Sequence, residues 1–166
     1  PGAIRLSTMS VEQAARLDHA ALPKPEQVAL LLKGRRSIRV YKDEAVSRES
    51  VEKLLDIARY APSGINRQPV NWAVVLGKDR VHELAGLVAQ WMDGLVKAKS
   101  PMAESLRFDR LVESWNNGQD RICRNAPGII IAYGLKDDPM AAQSCVIGAT
   151  YLELAAFGFG FGACWA

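Results

Sequence analysis

The chain has 166 residues, 49% of them hydrophobic and 23% charged, which suits one compact domain with a sizeable core and argues against a disordered chain. Its 21 basic residues against 18 acidic ones give a net charge of +3. That surplus is spread along the chain, which excludes a nucleic-acid binder built on bulk charge and makes any cationic site local.

The longest apolar run, residues 128–134, is far short of the about 20 residues that cross a bilayer, and no charged-then-apolar leader opens the sequence, so a soluble protein with no membrane partner is expected. Cys123, Cys145 and Cys164 lie far apart without metal-ligand spacing. Their odd number suits free thiols in a reducing cytoplasm better than a secreted disulfide framework. Both ends read as cut, at Pro1 and inside the apolar run 160–166, so a longer parent protein is expected.

Along the chain, Ser10 and Gln13 form a capping box that predicts a short helix through Leu17, fading toward Leu22. Pro23 and Pro25 break it. A second helix is expected over residues 26–33, stopped by Gly34, followed by an extended segment over 35–41. Ser47 then opens the clearest helix, 48–60, with Val51, Leu54, Leu55 and Ala58 at helical spacing. Residues 63–69 read as loop, 72–76 as a buried strand, and 79–96 as a helix.

A polar, aromatic-punctuated excursion over 100–118 is expected to be helical from 103 to 115 and to act as a lid or elaboration. Residues 128–133 are too apolar for an edge strand. Asp138-Pro139 should start a central helix running through Ala156, small and apolar nearly all round, before a last strand over 161–165. The order suggests an α+β layered domain, with residues 1–24 as an N-terminal connector and 25–166 as the domain proper.

In an extended strip, alternate side chains share a face at a spacing of roughly 6.6–7 Å, so Arg35, Ser37 and Arg39 point together. Arg36 then either lays its stem along the apolar side or joins the ligand. Guanidinium groups with a hydroxyl make an anion site, because planar bidentate donors suit a phosphate; the bland reading is a solvated basic loop. The segment Ala61-Pro62-Ser63-Gly64-Ile65-Asn66-Arg67-Gln68-Pro69 uses two prolines and a glycine to hold an irregular loop that presents the amides of Asn66 and Gln68. An amide donates and accepts together, as the alternating carbonyl and N–H edge of a flavin requires.

With these pieces in place the sequence resembles the nitroreductase family of FMN-dependent oxidoreductases. The matching features are Arg35-Arg36-Ser37-Ile38-Arg39 before a capped helix, the Ala61 to Pro69 loop, the small-residue helix over 141–156, and the ending Gly-Phe-Gly-Ala-Cys-Trp. They stand in the family's order across most of residues 26–166. The resemblance implies a central, mostly antiparallel sheet flanked by helices in three layers, and a homodimer that holds FMN between its subunits. It implies that Arg35, Arg36 and Ser37 contact the phosphate and ribityl end. Arg39 would lie at the N1 and C2 carbonyl edge, where a fixed cation stabilises the charge that two-electron reduction places there.

The resemblance further implies that Asn66 bonds the ring, that Ser63 and Gln68 line the same pocket, and that Trp165 and Ala166 pass near the reactive face. The flavin would carry the chemistry, with no catalytic acid or base from the chain. NAD(P)H, or a ferredoxin, would be the donor, and a nitroaromatic, quinone or similar flat molecule the acceptor. A reductive dehalogenase, a flavin-destroying enzyme and a non-catalytic flavin-binding or dimerisation module are the alternatives. The family's basic residue near its C-terminus and its intersubunit arm have no counterpart before Ala166. Pro1-Gly2-Ala3-Ile4 resembles the end of a bacterial ferredoxin cluster motif, suggesting an iron–sulfur domain upstream.

Other chemistries find little support. His19 and His82 are isolated from each other and from clustered acids or cysteines, so no metal site is expected. No nucleophile elbow or phosphate-binding lysine loop is present, and the glycines at 158, 160 and 162 precede a strand instead of following one. Cys164 is the one thiol expected near a flavin, with a buried structural role as the plainer reading.

Overall fold

The computed structural model describes residues 18–165, so the helix expected from Ser10 to Leu17 lies outside the described residues. The chain divides into two compact units, one ending at Gly34 and one beginning at Arg35. In the first, Asp18 Oδ1 accepts from the Ala20 amide at 2.9 Å and opens a 3-10 turn, His19–Ala21. Helix α1, Pro25–Gly34, follows, with Gln27 Oε1 accepting from the Lys24 amide at 2.8 Å ahead of it. Glu26 in its first turn and Lys33 in its last complement the helix dipole.

The second unit carries the remaining elements. Helix α2, Arg48–Ala58, starts where Ser47 Oγ accepts from the Ser50 amide at 3.1 Å, and buries Val51, Leu54 and Ala58. Strands β1, Asn71–Leu76, and β2, Gly128–Tyr133, pair antiparallel in a two-stranded sheet, with Asn71 opposite Tyr133 and Leu76 opposite Gly128. Helix α3, Lys78–Lys97, buries Val81, Ala85, Ala89 and Met92 at helical spacing. Helices α4, Pro101–Ser105, and α5, Phe108–Asn116, pack against α3. Helix α6, Ala141–Gly158, lies against β2 and holds α2 on its flank.

The result is the expected α+β arrangement of helices around a small antiparallel sheet. Among the described residues no helix is long and apolar enough to cross a membrane.

Five local expectations change. Strand β1, read as buried, holds no fully buried residue, and its Ala73 and Val74 are exposed. The excursion over 100–118 is two helices, because Arg107 adopts a left-handed backbone at φ 55° and turns the chain between them. Met92, Ala103 and Phe108 form a small core beneath it, with Val88, Leu95 and Leu111 packed around them. Strand β2, despite its composition, is paired on one side only among the described residues. Ile129 and Ile130 are half-buried on a sheet that helices pack against, while Ile131 is 41% exposed.

Helix α6 begins three residues later than expected. Asp138 Oδ1 accepts from the Met140 amide at 2.9 Å, making a turn of the residues that were read as the first helical ones. Residues 161–165 form no strand. Gly160, at φ 79°, and Gly162 lower the tendency to extend, and one backbone bond, from the Ile38 amide to the Ala163 carbonyl at 2.8 Å, is what the tail makes with the strip.

Candidate functional site

Two groups of predicted residues are each held by a long-range ion pair. The strip over 35–41 is tied to α6, where Arg35 Nη1 meets Glu153 Oε1 at 3.3 Å. It is tied to the tail by the bond from Ile38 to Ala163. Gly162 allows that approach, since a Cβ there would lie 2.8 Å from Ile38 Cγ2. Arg35 and Ser37 are half-buried while Arg36 and Arg39 are exposed, and Arg36 Nη1 donates to the Arg35 carbonyl at 2.9 Å. Of the three residues expected on one face, Arg35 and Ser37 are thus partly covered and Arg39 is open to solvent. Val40, next along the strip, is 88% exposed.

The second group sits on the loop over 63–68. Ser63 Oγ accepts from the Gln68 amide at 2.9 Å, closing the loop on itself. Ile65, Asn66 and Gln68 all have positive φ, at 46°, 54° and 49°. Arg67 Nε bonds Asp138 Oδ2 at 3.2 Å, fastening the loop to the turn before α6, where Gly64 also lies against Met140. The exposed side-chain amides of Asn66 and Gln68 make no bond to the described protein, so each keeps its donor and its acceptor for a ligand.

Both groups are thus anchored near α6 without a hydrogen bond or ion pair running directly between them. Trp165 is half-exposed at the end of the tail, and Ala166 lies outside the described residues.

Sequence reasoning missed the anchors Glu153 and Asp138, and it missed a charged corner around Tyr41. That half-buried phenol is pushed above its ordinary range, mainly by burial and secondly by Cys164, while Arg124 and Arg39 act in the opposite sense. Arg124 reaches this corner on a left-handed turn, with φ 57° at Arg124 and 52° at Asn125. Buried Asp120 fixes the turn by accepting from the amides of Ile122, Cys123 and Asn125 at 3.0, 2.8 and 3.0 Å. No motif announces such a turn, because its partners are backbone groups.

A cavity of about 570 Å³ lies between α2, the sheet, α6 and the tail. Its lining is mostly aliphatic and includes Val51, Leu54, Ile129 and Ile131, and of the predicted site residues that are described only Trp165 borders it. Such a lining does not suit a phosphate. The cationic strip and amide loop, not this cavity, have the donor set of the candidate site.

The model of the nitroreductase family matches residues 32–166. The chain belongs to the nitroreductase family. A 4-nitrobenzoate reductase of Nocardioides sp. (strain LMS-CY) is 37% identical over 75 residues, 45% of this chain and 30% of that protein. A crystal structure of a nitroreductase with bound FMN from Bacteroides fragilis NCTC 9343 shares the fold at a TM-score of 0.67 and 21% identity, over 84% of this chain and 68% of the other.

An FMN-dependent nitroreductase of Clostridium difficile R20291 matches at a TM-score of 0.61 and 26% identity, over 82% of this chain and 58% of that one. The alignments with two of the curated relatives span 34% and 30% of their lengths. For this nitroreductase-family chain, the donor chemistry fits FMN: guanidinium groups and a hydroxyl suit the phosphate, and two unengaged amides suit the ring edge.

Proposed function

We propose that the chain is the FMN-binding part of a cytoplasmic, homodimeric flavin oxidoreductase. Electrons pass from NAD(P)H, or from a ferredoxin, to a nitroaromatic, quinone or similar flat acceptor by a ping-pong sequence. Residues 25–166 make the flavin domain and residues 1–24 connect it to an upstream iron–sulfur domain. The observation that carries this reading is the pairing of a cationic strip fastened to α6 with a closed loop whose two side-chain amides have no partner among the described residues. Its support comes from family membership and from a related structure described as an FMN-dependent nitroreductase.

In this reading Arg35, Arg36 and Ser37 hold the phosphate and ribityl end, and Arg39 lies at the N1 and C2 carbonyl edge. Asn66, Ser63 and Gln68 orient the ring, and Trp165 and Ala166 border its reactive face. When bound, FMN supplies the two-electron chemistry. The chain binds and orients, places fixed positive charge beside the edge that becomes negative on reduction, and moves no proton of its own. The half-exposed Val146, Tyr151 and Phe157 on α6 supply apolar surface for a second copy to cover.

The test is anaerobic mixing of the FMN-loaded protein with NADH, NADPH or reduced ferredoxin, followed by a nitroaromatic or a quinone. The flavin absorbance is expected to bleach with a donor and to return with an acceptor. No bleaching by any of the three donors contradicts an oxidoreductase and favours a module that only binds.

A further inference from the structure

Helix α6 reads AAQSCVIGATYLELAAFG, and Glu153 is the only charged residue in its 18 positions. The Glu153 side chain is 13% exposed and borders the aliphatic cavity, a setting that penalises a carboxylate unless a partner compensates it. Its partner is Arg35, 118 residues earlier in the chain and first in the cationic strip. Only Nη1 of Arg35 is engaged, so the rest of the guanidinium fork remains available to a ligand.

We infer that Glu153 is a positioning residue: it holds the Arg35 guanidinium in one orientation so that its remaining N–H groups meet a flavin phosphate. This rests on the reading that Arg35 grips the phosphate of FMN. The physical gain is pre-organisation. A free arginine loses rotamer freedom when it closes on an anion, and a side chain already pinned by a carboxylate loses less. A purely electrostatic role would act with the opposite sign, because a negative charge beside Arg35 lowers the local potential and opposes phosphate. Removing it would then tighten binding.

The experiment compares FMN with riboflavin, which lacks the phosphate, by quenching of flavin fluorescence on titration with protein. Glu153→Leu, which suits the apolar surroundings, is expected to weaken FMN about ten-fold, the scale on which removing the partner that orients a metal ligand weakens metal binding. Riboflavin affinity should be unchanged. Glu153→Gln keeps an acceptor without its charge and should fall between Glu153→Leu and wild type. Arg35→Ala should abolish the preference for FMN, and adding Glu153→Leu to it should cost nothing more.

If Glu153→Leu leaves the FMN-to-riboflavin ratio unchanged, raises it, or weakens both ligands equally, the positioning role is overturned. Should Glu153→Leu not fold, Arg35→Lys decides, since it keeps the charge and loses the fork; an unaltered ratio overturns the role. A wild-type protein that binds neither flavin, or both alike, instead removes the phosphate-gripping assignment of Arg35, and this inference with it.

Discussion

Ile65 holds a left-handed backbone at φ 46° with 87% of its surface exposed. A β-branched residue is strained there, and no packing offsets the strain, so its cost is about 1–2 kcal/mol. Ile65→Asn, which tolerates that conformation, is expected to raise stability by about 1 kcal/mol in urea unfolding. A loss of stability would show that the Ile65 side chain makes stabilising contacts that outweigh the strain.

Titration provides a second check at the same scale. Burial pushes the Tyr41 phenol and the Cys123 and Cys145 thiols up. A pKa raised on folding means the neutral form is favoured in the folded state. That stability is complete below the unfolded values, about 8.5 for a thiol and about 10 for a phenol, and is lost as pH climbs through the folded values. From neutral pH to about 8 these groups should leave the urea midpoint steady, and it should fall in the alkaline range, with Tyr41→Phe flattening the upper part of the fall. A midpoint that rises with alkaline pH contradicts the assignment.

What was legible among residues followed sequence distance. The guanidinium strip and the two amides are contiguous and announce their chemistry, whereas their anchors do not. Glu153 stands 118 positions from Arg35 and Asp138 stands 71 from Arg67, separations that only the folded chain closes.

Among the elements, the tail shows why composition misled. An apolar segment after a helix reads as a strand, yet its glycines leave it irregular, and its one backbone bond to the strip depends on Gly162. A Cβ at that position meets Ile38 Cγ2 at 2.8 Å and Ile38 Cβ at 3.0 Å. Gly162→Ala should thus cost about 1–3 kcal/mol. In a double-mutant cycle with Ile38→Ala much of that cost should disappear, and strict additivity would mean that the approach is unimportant.

Helices α2 and α3 were legible because periodic apolar residues and a serine cap act within a few positions. The break at Arg107 was not, because a single left-handed residue inside a helical pattern leaves no trace in periodicity. Asp138-Pro139 did mark the start of α6, but the aspartate closes a turn before the helix instead of capping it.

At the scale of the whole molecule, α+β architecture and family membership were both readable, since they depend on the order of motifs along the chain. The extent of the sheet was not, because strand partners are non-local and apolarity alone does not say which flank of a strand is covered. In the proposed function the strip and the loop, each anchored separately, act together on one ligand, and a bound anionic cofactor links them. Such a ligand also stabilises the fold by mass action, by about 2.7 kcal/mol at a hundred-fold excess over Kd.

Calorimetric titration of FMN into the purified protein, repeated with Arg35→Ala/Arg36→Ala and with Asn66→Ala, tests this most directly. Saturable binding of one FMN per chain is expected, weakened by added salt and by substitution in either group. No heat and no yellow colour in the wild-type protein, or binding indifferent to both groups, would contradict it.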